Sequence, residues 1–181
     1  MASTVRTDTA FTKYRNAYRP DQPMNLEISR YGGDADPMSA KDGLMFWVDG
    51  SVSGPGSAPV SKPELPRRPD GTHLWVVTEE QVLHAPEICA FGTKRRAGTI
   101  KHSNLTAGGR AFVGGELVFL DKGTIAITGS SGRYRMRNGK EMAAIERAFV
   151  DSGYNVWSMG YNRDVNRPNI FGLSDPEWIL P

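Results

Sequence analysis

Glycine and proline interrupt this chain so often that few stretches are long enough to hold a helix. With 20 glycines and 12 prolines among 181 residues, the apolar residues fall into short runs bounded by turn chemistry, the pattern of strands joined by loops. One segment escapes the punctuation. Over 139–152, Asn138 stands in N-cap position and Glu141 follows three residues on. Met142, Ile145 and Phe149 then make one apolar stripe, and Gly153 supplies a stop. The expected fold class is therefore α+β, mostly β: an antiparallel sheet or meander, one main helix in the C-terminal half, and long Pro/Gly loops.

The length suits a single domain with a core of its own. Residues 1–24 lack a sustained apolar period and are read as a partly disordered N-terminal arm, with Tyr14 and Tyr18 at helical spacing before Pro20. Residues 25–181 are read as one globular domain. Within it, 50–71 is a proline- and glycine-rich surface loop and 161–181 a polar tail that wraps the surface on apolar anchors. Strands are expected at 44–48, 73–77, 81–83 and 87–91, and again at 156–159. Residues 78–81 fit either a capped helical turn or a hairpin tip. The runs 99–102, 112–120 and 124–128, closely joined, predict a three-strand antiparallel meander.

Several function classes are disfavoured. The single cysteine, Cys89, allows no internal disulfide and reads as a small buried hydrophobe. A formal net charge of +2 gives no wholesale attraction to nucleic acid or membranes. No apolar run spans a bilayer, and the N-terminus has no apolar signal-peptide core. The location expected is the cytoplasm, or delivery into another cell's cytoplasm without a signal peptide. The spacing of His73, His84 and His102 matches no metal motif, so no protein-ligated metal is expected. Neither a phosphate-binding glycine loop nor a serine-hydrolase elbow is present.

Candidate chemistry concentrates in residues 101–134. His102, Ser103 and Glu116 are the candidate catalytic residues. Ser131, Arg133, Tyr134, Lys101, Gly108 and Gly109 are the candidate substrate- or cofactor-binding residues. A carboxylate beside hydroxyls and an arginine is a workable set for acid–base work or for stabilising a developing cation, and the glycines allow a ligand close to the backbone. Lys94–Arg96, in a basic loop over 92–98, is a second possible phosphate contact.

The same residues carry a family resemblance. His102-Ser103-Asn104-Leu105-Thr106-Ala107-Gly108-Gly109, Val113-Gly114-Gly115-Glu116, Lys122-Gly123-Thr124-Ile125 and Ser131-Gly132-Arg133-Tyr134, followed by the 139–152 helix, resemble a module of the plant IQM-type calmodulin-binding proteins. Related modules occur in bacterial and fungal proteins. The match covers about 99–152. Asn104, Arg133 and Met136 replace the module's serine, histidine and proline, and the IQ motif is absent, so calmodulin binding is not carried over. A nearly isolated module suits a small delivered effector or toxin-like domain.

By a looser similarity to transferases with a catalytic glutamate, one expectation is an NAD-dependent ADP-ribosyltransferase. In it Glu116 stabilises the oxocarbenium-like state, Tyr134 stacks on nicotinamide, and Arg133 or Lys101 holds phosphate. NAD is then the implied co-substrate. The alternative is a non-catalytic module that binds a ligand or a protein, such as an immunity or host target protein.

Overall fold

The computed structural model describes residues 9–26, 33–49, 61–95 and 98–181. The first eight residues of the expected arm, residues 50–60 of the loop expected at 50–71, and Arg96 of the basic loop lie outside them. In chain order the elements are α1 (Thr12–Ala17), β1 (Met45–Phe46), β2 (His73–Val77), β3 (Val82–Pro86), α2 (Ala90–Thr93), α3 (His102–Leu105), β4 (Val113–Phe119) and β5 (Thr124–Thr128). Then come α4 (Gly139–Asp151), β6 (Asn155–Ser158), β7 (Tyr161–Asn162), β8 (Arg167–Pro168) and β9 (Glu177–Ile179). The fold is α+β.

Seven of these strands make one sheet in the order β1-β3-β2-β4-β5-β6-β9, and β7 pairs with β8 separately. Every pairing is antiparallel except β5 with β6. A parallel pair needs a crossover that returns the chain to the same end of the sheet, and α4 provides it. The side chain of Asn138 accepts a hydrogen bond from the Glu141 N–H at 2.9 Å, and Gly153 ends the helical stretch at φ +96°. Met142, Ile145 and Phe149 are buried against Trp75, Leu117, Ile125 and Ile127, so one sheet face and the helix stripe form the main core.

The segment 78–81 is a hairpin tip. Val77 pairs with Val82, and the Gln81 N–H donates to Thr78 Oγ1 at 3.1 Å, satisfying a group that the short turn leaves free. The expected strand 87–91 gives way to the helical turn α2.

A larger correction concerns the expected meander. Residues 99–102 form no strand. His102 begins α3, whose four residues are all buried, and β2 takes the vacant place beside β4. The continuous burial of β2 from Leu74 to Val77 explains this preference, since a run buried on both faces belongs in the middle of a sheet.

Within the expected arm, residues 9–24 are anchored to the core at a few points. Phe11 and Tyr14 are buried, with Phe11 edge-on to Phe149 at 5.1 Å. Asp21 makes a two-bond backbone bridge to Ala111, at 2.8 and 3.0 Å. The tail 161–181 does more than wrap, since β9 extends the sheet beside β6.

Candidate functional site

Alternation along β4 sends Val113 and Leu117 toward α4, and Gly114, Glu116 and Val118 toward the other face of the sheet. That second face carries two separate apolar clusters. One includes Leu74, Val76, Ile100 and Leu105; the other includes Val118, Ala126, Trp157 and Phe171. Glu116 falls between them, opposite Leu74 on one side and Thr128 on the other.

The Glu116 carboxyl is half-buried, and among the described residues no side chain hydrogen-bonds or ion-pairs with it. Burial pushes its pKa up to about 7, with a further push from the negative charge of Glu87. Glu87 stands just past the end of β3, where its N–H donates to Thr72 O at 2.9 Å. A carboxyl that is half protonated near neutral pH, within reach of solvent, has the usual character of an acid–base group.

The other residues expected here have different work. The His102 ring lies over Gly114, where an ideal Cβ would stand 2.8 Å from His102 Cδ2 and 3.2 Å from Ser131 Oγ. His102, Ser131 and the paired glycines are thus brought together. Gly115 is opposite Trp75 in the β2–β4 register, and its carbonyl is also within reach of the His102 ring. Neutral His102 donates its Nε2–H to this carbonyl at 2.8 Å. Ser103 is buried, and its Oγ donates to Asp34 O.

Arg133 pairs with the Asp34 carboxylate and donates to Met24 O at 3.0 Å. Ser131 Oγ accepts the Arg133 and Tyr134 N–H groups, a local turn. Tyr134 is 3% exposed, and its hydroxyl donates to Gly109 O at 2.6 Å. Gly108 takes φ +76°, and Gly109 closes the same turn through its N–H to Thr106 O at 2.9 Å. The Lys101 N–H donates to Asn104 Oδ1 at 2.8 Å.

These placements give most of the expected site residues partners within the fold. Ser103, Ser131 and Tyr134 are spent on the fold, and Tyr134 has no open ring face for a nicotinamide. Arg133 is held in an ion pair rather than held out to a phosphate. Sequence reasoning missed Asp34 and Glu87. Asp34 lies in a loop that reads only as turn chemistry, and Glu87 in a run taken as a plain strand. Neither has a local motif, because each acquires its meaning from a partner far along the chain.

His102 yields a pH prediction. Burial lowers its pKa from 6.5 to about 4, the Gly115 carbonyl opposes that, and the Lys101 and Arg133 charges add to it. Below pH 6.5 the unfolded chain therefore binds a proton that the folded chain refuses. Stability is full above pH 6.5 and falls as pH drops toward 4, by roughly 3 kcal/mol for this group. Urea unfolding at stepped pH should show the decline. His102→Gln, which keeps a donor for Gly115 O, should flatten it by one proton's worth of slope.

Among the described residues no group of three or more His, Cys, Asp and Glu side chains is set to hold a metal ion. No helix among them is long and apolar enough to cross a membrane. No protein-family model, curated protein or solved structure matches the chain.

Proposed function

We propose that the chain is an enzyme whose working group is the Glu116 carboxyl, and that it acts on the N-glycosidic bond of a nicotinamide nucleotide as an ADP-ribosyltransferase-type effector. One observation carries the reading: of the two carboxylates in the 101–134 stretch, Glu116 is the one held half-buried, and it has no side-chain partner among the described residues. Ionised, it stabilises the positive charge that develops on the ribose carbon as nicotinamide departs. The resemblance to the IQM-type module is part of this proposal for where the site lies.

Nicotinamide leaves as a neutral base and needs no proton, so the carboxylate is the active form. NAD consumption should then rise with pH through about 7, the value to which burial and Glu87 push Glu116. Glu116→Gln should reduce turnover by at least about 100-fold while leaving the melting temperature near that of the parent. Glu87→Gln removes the repelling charge and should move the rise to lower pH. NAD turnover unchanged in Glu116→Gln would sink the reading. Growth arrest on expression, relieved by the same substitution, tests the effector part of it.

A second reading, a module that binds a partner such as an immunity or host protein, is favoured by the sheet edge. There β1 and the residues after it expose Met45, Phe46 and Val48. It predicts a stable complex that survives Glu116→Gln and is lost in Phe46→Asp.

A further inference from the structure

His73 and His84 are 11 residues apart in sequence, on the two arms of the β2–β3 hairpin. The register sets His84 opposite Trp75 and His73 opposite Pro86, so the two histidines are diagonal neighbours on one face of the sheet. Their rings turn toward each other until Nδ1 faces Nδ1 at 2.9 Å. Apolar rings surround the pair: Trp47 is edge-on to His84 at 5.4 Å and Phe119 is edge-on to His73 at 5.2 Å. His84 is buried and His73 half-buried, which leaves one side of the pair open to water.

From this geometry we infer that His73 and His84 form an open two-imidazole site for a borderline divalent transition metal of the Cu(II), Ni(II) or Zn(II) class. The ligand atoms are the two Nδ1 lone pairs. In the metal-free chain one Nδ1 carries a hydrogen and donates it to the other. When metal binds, that ring moves its proton to Nε2, so both rings stay neutral and no proton is released. Metal–nitrogen bonds of about 2.0–2.1 Å in tetrahedral geometry need the two nitrogens about 3.3 Å apart, an opening of a few tenths of an ångström.

Two features favour binding. The strands hold both rings in place before metal arrives. The aromatic surround limits competing water on the buried side, while the open side leaves coordination positions for water or a small chelating ligand. Motif spacing does not reveal such a site, because its ligands come from two strands joined by a hairpin rather than from one helix turn or loop.

The test uses the full chain at neutral pH. Adding zinc sulfate and recording imidazole nitrogen NMR should shift the Nδ1 signals of His73 and His84 together to a single saturation point, with His102 unmoved. Cu(II) should quench the fluorescence of Trp47 with tighter saturation than Ni(II) or Zn(II) shows in competition, the order that nitrogen sites follow. His73→Phe and His84→Phe should each abolish that quenching. Unmoved His73 and His84 signals in the wild-type chain would overturn the proposal, whatever the variants do. Quenching that persists in folded His84→Phe would do the same.

Discussion

Glu141→Ala is expected to be the most damaging single substitution in the helix, costing about 3–5 kcal/mol, the usual range when one partner of a buried ion pair is removed. The Glu141 side chain is fully buried. Its Oε1 accepts the Tyr14 hydroxyl at 2.7 Å and Arg137 Nη1 at 2.6 Å, and its Oε2 accepts the Arg137 N–H at 2.7 Å. Arg137 in turn donates through Nη2 to Arg19 O at 2.6 Å and to Asp21 at 2.9 Å. Removing the carboxylate leaves the buried Tyr14 hydroxyl without its acceptor, takes one charged partner from the half-buried Arg137 guanidinium and loosens the segment 9–21 from α4. Burial and the neighbouring carboxylate already raise the Tyr14 pKa, so its hydroxyl stays a donor at any working pH. Thermal unfolding should show a loss on the order of 10 °C. Tyr14→Phe, which removes one bond to a charged acceptor, should cost about 2 kcal/mol. Equal melting temperatures for Glu141→Ala and the parent would refute this account.

Gly115→Ala should be of similar size. An ideal Cβ there would lie 2.1 Å from Thr128 O and 2.3 Å from Trp75 Cζ2. One contact is backbone and the other a fully buried indole, so neither can swing aside. The Trp75 Nε1–H also donates to Glu116 O at 3.0 Å. Moving the indole would therefore disturb the strand at the candidate catalytic residue. A methyl group here must push β4 away from β5, and a loss above about 3 kcal/mol is expected, beyond the ordinary cost of overpacking. Gly132→Ala is the control. Nothing lies within 4 Å of its ideal Cβ, and its stability should match the parent within about 0.5 kcal/mol. A folded Gly115→Ala with parental stability would contradict the packing described for the sheet centre.

What was legible in the sequence was whatever the chain settles locally. Asn138, Glu141 and Gly153 mark the ends of α4 by their own chemistry, and the stripe Met142, Ile145, Phe149 faces the core as its spacing requires. Short apolar runs between turns were enough to place β2, β4 and β5. Partner choice was not legible, because a strand's neighbour depends on which faces must be covered, and β2 displaced 99–102 from the side of β4 for that reason.

The candidate site divides in the same way. Glu116 stands out as a carboxylate in an apolar strand. The roles of His102, Ser103 and Arg133 depend on Asp34 and Gly115, and nothing local distinguishes a histidine that bonds a carbonyl from one that meets a substrate. Phe11 and Tyr14 look like scattered aromatics in an arm until Phe149 and Glu141 are seen beside them.

The segment 33–36 has no ladder of its own. Asn104 Nδ2 donates to Gly33 O at 2.7 Å and to Asp36 O at 3.0 Å, Ser103 Oγ donates to Asp34 O, and Arg133 holds the Asp34 carboxylate. Each of these contacts closes a loop of roughly 70 to 100 residues, whose entropy must be met before any bond is gained. They are therefore expected to form after the hairpin of β2 and β3 and after β4 and β5 have met, late in folding. For the same reason the segment is expected to open early in unfolding: its amides should exchange with solvent through local opening while those of β4 and β5 still wait for the whole domain to come apart.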